Sequence, residues 1–223
     1  FSSLQKPAVL VDQLQSRGYQ LGIFSSATLY RPVVLDRTAF AEVPKLRIVT
    51  EPESDPAWKR DRKMTREWFE WLDGRDPERP FFGFLFYDAA MRKSFPPDYP
   101  VVFESEGDDR QALEFARYQS AVHFDDGLIG KVLDDLKRRG LAENTVVLIT
   151  ADHGEEFGES GVKLEKHGSG YTRHQLVTPM VLYWPGRAQG TVLDHRTSHY
   201  DIVPTLMQDF LGCSNPAGDY SVG

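Results

Sequence analysis

Apolar positions along this chain fall into two kinds of run. Some are continuous and of strand length; others recur every three or four residues. The continuous runs are residues 19–25 (YQLGIFS), 81–87 (FFGFLFY), 145–150 (TVVLIT) and 176–184. Within the third, Val146, Val147, Leu148 and Ile149 leave no polar face, so it reads as a central parallel strand covered on both sides. Pro179 places the fourth at a bulge or sheet edge. Residues 43–50 read as a further strand with Pro44 at its margin.

The spaced runs predict helices. Leu4, Val9, Leu10, Val11 and Leu14 follow a cap at Ser3 and stop at Gly18, with Pro7 marking the first turn. Asp55-Pro56 opens a second helix carrying Trp58, Met64, Trp68, Trp71 and Leu72 and ending near Gly74. Its aromatic stripe is a core face. The longest helix starts at Asp108 or Asp109 and runs to about Arg139, with Leu113, Ala116, Ala121, Phe124, Leu128, Val132 and Leu136 at helical spacing. Lys137, Arg138 and Arg139 suit its C-terminal dipole, and Gly140 stops it. A closing helix spans 201–211 with Pro204 in its first turn. Pro96, Pro97 and Pro100 forbid regular structure between the second strand and the long helix. Strands alternating with helices predict an α/β fold, a mostly parallel sheet with helices on both faces.

Composition narrows the class. The 223 residues suit one large domain, and 40% hydrophobic with 26% charged residues is an ordinary globular balance. A net charge of −7 gives no reason to expect nucleic acid. A single cysteine, Cys213, excludes an internal disulfide and leaves cytoplasm and periplasm both open. No apolar run approaches the roughly 18 residues of a membrane span. The chain begins at Phe1 and not at methionine, which reads as a piece of a longer protein.

The candidate chemistry sits where the third strand ends. The apolar run breaks into Asp152-His153-Gly154 followed by Glu155, Glu156 and Glu159. The carboxyl end of a buried strand is where open α/β sheets place ligands, and adjacent Asp and His are suitable metal ligands. The competing reading is a plain turn with a solvated acidic loop, and the three glutamates are read that way. His167, in KHGSG, is either a third participant or a solvent-exposed loop histidine. His123 reads as a partly buried packing residue, and His174, His195 and His199 as structural or exposed. The clusters Arg60-Arg62-Lys63 and Lys137-Arg138-Arg139 read as solvated helix faces that could meet a lipid headgroup.

The stretch YQSAVHFDDGLIGKVLDDLKRRGLAENTVVLITADHGEEFGE resembles the sulfatase branch of the alkaline phosphatase superfamily: a helix bearing Asp125-Asp126, then an apolar strand ending in Asp-His-Gly-Glu. VTPMVLYWPG and HYDIVPTLMQDFLG look like the family's next strand and closing helix, and PAVLVDQLQSRGYQLGIFSSA like the elements after its nucleophile region. The resemblance implies a three-layer sulfatase-like fold over residues 1–223, with the N-terminal part of that fold lying before Phe1. It makes Asp152 and His153 ligands of a divalent metal and His167 a substrate- or metal-contacting histidine. Within the branch, FYDAAMRKSFPPDYP and the C-terminal stretch most resemble Gram-negative inner-membrane proteins with a membrane part followed by a periplasmic sulfatase-like domain.

Two departures bear on activity. Many relatives carry a Pro-His pair after the second strand, where this chain has Ala90 and Met91, leaving Arg92 or Lys93 to replace that contact. No Cys-x-Pro-x-Arg signature exists, so the nucleophile and first acidic ligand are expected upstream and no catalytic residue within these 223. The resemblance therefore implies two functions. One is metal-dependent cleavage or transfer of a sulfate or phosphate ester, with the isolated chain inactive and binding metal weakly if at all. The other is a non-catalytic regulator or sensor of outer-membrane lipid, lipopolysaccharide included, working with a membrane-protein partner.

Overall fold

A computed structural model describes residues 8–161, 166–187 and 190–219. The chain divides into two compact units, one of residues 1–50, 70–86 and 190–223, the other of 51–69 and 87–189.

In the first unit, α1 (Val9–Ser16) ends where Gly18 takes φ +79° and Tyr19 N–H reaches back to Leu14 O at 3.0 Å. A left-handed residue there costs glycine nothing. The chain then enters β1 (Gln20–Ser25), which pairs in parallel with β2 (Phe81–Phe86), Gly22 opposite Gly83. The last turn of α2 (Ala57–Gly74) lays Trp71 over β1. A Cβ on Gly22 would stand 3.0 Å from that ring, so the absent side chain makes the seat. The core here gathers Val11, Ile23, Leu29 and Phe40, with Phe82, Phe84 and Phe86 packed against them. The predicted strand at 43–50 does not form. Its segment is irregular, bonding through Ile48 O to Leu29 N–H and through Thr50 N–H to Ser25 O, while Lys45 after Pro44 sits at φ +54°. A proline followed by a left-handed residue cannot keep a ladder.

The closing helix begins as a 3₁₀ turn at His199–Asp201, where Ser198 and Asp201 form a capping box, continues as α6 (Ile202–Thr205) and widens into a π turn at Leu206–Phe210. Met207 and Leu211 pack on Leu14, and Arg17 Nη1 donates to Leu211 O at 2.7 Å.

In the second unit the 29-residue α4 (Arg110–Arg138) is the spine. Asp109 caps it by accepting from Ala112 N–H at 2.9 Å, and Asp135 holds Arg138 and Arg139 in the last turn. Its buried stripe, Ala116, Ser120, Ala121, Phe124, Asp125, Leu128, Asp135 and Leu136, has the predicted period, though Leu113 lies exposed. Phe124 and Leu128 pack on Ala57 and Ala89, the latter in the short α3 (Ala89–Arg92). The strand β3 (Val147–Thr150) pairs with β4 (Met180–Tyr183) after the single turn α5 (Arg173–Leu176). That pairing is antiparallel and β3 is only half-buried, against the expectation of a parallel strand covered on both sides. An apolar β-branched run fixes strand character; its direction comes from the connection, and α5 is too short for a parallel crossover.

Candidate functional site

Beyond β3 the chain doubles back on itself. Glu156 and Lys166 form an isolated antiparallel bridge, with N–H···O distances of 2.9 and 2.8 Å. This bridge carries His167 alongside His153, and their rings stack with centroids 4.3 Å apart and planes at 24°. Gly154 lets the backbone of residues 174–175 close on this turn: its N–H donates to Gln175 O at 2.8 Å, and a Cβ would fall on the His174 carbonyl oxygen.

The hydrogen bonds fix both imidazole tautomers. His153 Nδ1 lies 2.9 Å from Gly154 O, which can only accept, so Nδ1 bears the hydrogen. His167 Nδ1 lies 2.9 Å from Glu155 Oε2. Burial works to raise the Glu155 carboxyl, but hydrogen bonds from His167 and Lys93, with the Lys93 charge, outweigh it and hold it below the usual range. Glu155 is therefore an acceptor, His167 Nδ1 donates, and the Nε2 lone pair of each histidine is left for another partner. Histidines with Nδ1–H engaged by a carbonyl or carboxylate are typical of metal sites. His153, Glu155 and His167 can each offer a ligand atom within 4.8 Å of the others, and two imidazoles with a carboxylate suit a borderline divalent ion such as zinc.

Asp152 stands apart from that trio. Its side chain is exposed, Oδ1 accepts from His153 N–H at 3.0 Å, and Oδ2 lies 3.7 Å from His153 Nε2, on the side of the available lone pair. The solvated reading of the acidic loop fails for two of its members. The Glu155 side chain is 5% exposed, and Glu156 is buried, accepting from Thr172 Oγ1 at 2.5 Å and Ser160 N–H at 2.9 Å. Those bonds, the Thr172 bond foremost, hold the Glu156 carboxyl below its ordinary range. The available signal was spacing, since in an extended segment Glu155 shares a side with His153 two residues earlier.

Of the cations offered in place of the missing Pro-His pair, Lys93 is the one that reaches this loop. Arg92 is turned to Asp88 at 3.3 Å with its side chain largely exposed, while Lys93 Nζ lies 3.0 Å from Glu155 Oε1. Lys93 caps α3 in the left-handed region, φ +51°, a conformation that costs a non-glycine residue roughly 1 kcal/mol or more. The N-terminal end of α3 is clamped by carboxylates. Asp61 accepts from Asp88 and Ala89 N–H at 3.1 and 2.7 Å, and Asp125 accepts from Ala90 N–H at 3.0 Å. Burial first, then the charge of Asp61, pushes the Asp125 carboxyl up to about 9, so it holds a proton at neutral pH.

The remaining candidates lie elsewhere. His123 is exposed, not partly buried as predicted, with Nδ1 2.5 Å from Tyr99 Oη; His174, His195 and His199 are exposed. In the basic clusters, Arg60 pairs with Asp88, Arg62 lies over Trp58, and Asp135 engages Arg138 and Arg139. Cys213 belongs to the α1 contact, far in sequence from the histidine loop.

The chain is an α/β protein with a metal-suited loop at the end of a strand, and its likeness to known proteins gives the family. The family model for sulfatases matches residues 2–212, and the chain belongs to that family. Its members generally use a divalent metal ion. The chain is 29% identical over 99% of its length to the inner membrane protein YejM of Salmonella typhimurium, and 31% identical over 59% of its length to the steryl-sulfatase of Rattus norvegicus. It covers 33% of the former and 23% of the latter, so it spans about a third of the YejM length. Among solved structures it resembles a Bacteroides thetaiotaomicron protein from a glycosaminoglycan-metabolism locus, with TM-score 0.62 and 20% identity over 95% of this chain and 54% of that one. It also resembles the phosphonate monoester hydrolase of Agrobacterium radiobacter, with TM-score 0.54 and 14% identity over 76% of this chain and 51% of that one. The α/β fold expected from the sequence is thus the sulfatase fold. No helix among the described residues is long and apolar enough to cross a membrane.

Proposed function

We propose that residues 1–223 form a sulfatase-like domain of a longer envelope protein, and that the 152–167 loop is its metal-binding face. The observation that carries this reading is the pair of stacked histidines, each with Nδ1–H engaged and Nε2 available. His153 and His167 would hold a divalent ion through Nε2, with Asp152 the carboxylate next to it. Such an ion, when bound, polarises a sulfate or phosphate ester oxygen. This chain's residues orient the imidazoles and supply the Lys93 ammonium. On this reading the nucleophile comes from outside these residues, and the 223 residues alone turn over no ester. The similarity to the inner membrane protein YejM supports an inner-membrane protein; in this reading the domain faces the periplasm and acts on an envelope lipid or an ester.

A second reading has its own observation. Ala90 and Met91 stand where relatives carry a substrate-contacting histidine, and Met91 is exposed with no donor to offer. That favours a retained fold which senses outer-membrane lipid, lipopolysaccharide included, beside a membrane-protein partner. Metal content and aryl sulfate and aryl phosphate hydrolysis by the whole protein, wild type against Asp152→Ala and His153→Ala, separate the two. The first reading requires stoichiometric metal and turnover that both variants lose. A metal-free, inactive wild type would remove it and leave the sensor.

A further inference from the structure

Both oxygens of Glu155 are committed, Oε2 to His167 Nδ1 at 2.9 Å and Oε1 to Lys93 Nζ at 3.0 Å. A carboxylate engaged on both sides serves better as an orienting group than as a direct metal ligand. Lys93 is itself well enclosed: its side chain is 13% exposed, its ammonium lies 5.5 Å from the Phe157 ring centroid, and its other anionic neighbour, Glu114 Oε2, is at 3.8 Å. The backbone that delivers it is pinned at both ends of a single turn. Asp61 and Asp125 hold the N–H groups of residues 88–90, and Lys93 N–H closes on Ala90 O at 3.0 Å. A lysine kept at φ +51°, where glycine would sit without strain, indicates that its side chain is needed there.

We propose that Lys93 is a positioning residue: it anchors Glu155, which holds His167 in the Nδ1–H tautomer and so presents Nε2 outward. The proposal rests on the metal-binding reading for what Nε2 then engages; how His167 is held stands on the Lys93–Glu155–His167 geometry alone. The three groups form one line of hydrogen bonds, ammonium to carboxylate to imidazole. Removing the ammonium frees Oε1, lets the Glu155 side chain rotate, and leaves His167 free to carry its hydrogen on either nitrogen. The ring of His153 supplies an internal control, because its Nδ1–H is held by Gly154 O and has no part in this line.

The test is long-range ¹H–¹⁵N correlation of the ¹⁵N-histidine-labelled whole protein at about pH 8, above the ordinary imidazole range, followed by titration with Zn²⁺. Wild type should show His167 as a single Nδ1–H tautomer. In Lys93→Met, His167 should become a mixture of tautomers with His153 unchanged, and zinc binding should weaken by about tenfold or more, the usual effect of losing an outer partner. Lys93→Arg should restore both readouts. Lys93→Gly relieves the backbone while deleting the ammonium, so it should fold and reproduce the Lys93→Met spectrum. An unchanged His167 tautomer in folded Lys93→Met or Lys93→Gly would overturn the proposal. A wild type indifferent to zinc, whose His167 still responds to Lys93→Met, would instead refute the metal-binding reading and leave the positioning role standing.

Discussion

Asp125 shows how much the environment of one carboxyl sets its behaviour. Its folded-state titration lies near 9 against about 3.9 in an unfolded chain, so across that interval the folded protein holds a proton that the unfolded one has released. Stability is therefore fully retained below the unfolded value and falls as pH rises toward 9, by at most roughly 1.4 kcal/mol per pH unit. Asparagine reproduces the protonated form, its oxygen accepting from Ala90 N–H and its amide facing Asp61. Asp125→Asn should consequently gain on wild type as the buffer moves from pH 5 to pH 8.5, read from urea midpoints. A difference that stays constant with pH would contradict the assignment of the proton. At this scale the sequence was partly legible. Asp152, His153 and His167 were singled out by residue type and place, and the fold brings the two histidines together while Asp152 faces solvent. Glu155 and Glu156 were misread because acidic composition signals solvent, whereas their burial depends on the Glu156–Lys166 bridge, which no local pattern announces.

At the level of elements, continuous apolar runs located β1 and β2 and helical periodicity located α2 and α4, each to within a few residues. The residues between β1 and α2 escaped that logic. They bury Leu29, Phe40 and Val49 through irregular backbone, so the core is served without a repeat to read. Glycine mattered where no period could show it. Gly22 is flat because Trp71 lies against it, and a branched side chain there would have to displace an indole that also packs edge-on against Phe24 and Phe81. Gly22→Val should destabilise the chain by about 1–3 kcal/mol, the usual cost of overpacking. Thermal unfolding would show it as a lowered Tm with loss of tryptophan near-UV ellipticity; an unchanged Tm would mean that the ring has room to move.

For the molecule as a whole, stretches resembling the family in the right order along the chain were enough to reach it, since an ordered match over most of the chain is far more demanding than matching Asp-His-Gly. Strand direction was legible for β1 and β2, which pair in parallel as expected, but not for β3. The same apolar run suits either sense, and β3 pairs antiparallel with β4 through a connection whose only helix is one turn long. The lone sulfhydryl offers a practical consequence of the contact between α1 and the closing helix. Cys213 sits beside Leu14, Met207 and Leu211, with Arg17 Nη2 3.4 Å from its sulfur, so two segments almost two hundred residues apart converge on a single reactive atom. Thiol-labelling kinetics thus become a clock for the undocking of those segments, with no engineered probe. Leu14→Ala should quicken labelling by a colourimetric disulfide in native buffer, and a rate equal to that of wild type would show that the sulfhydryl is reached without the segments parting.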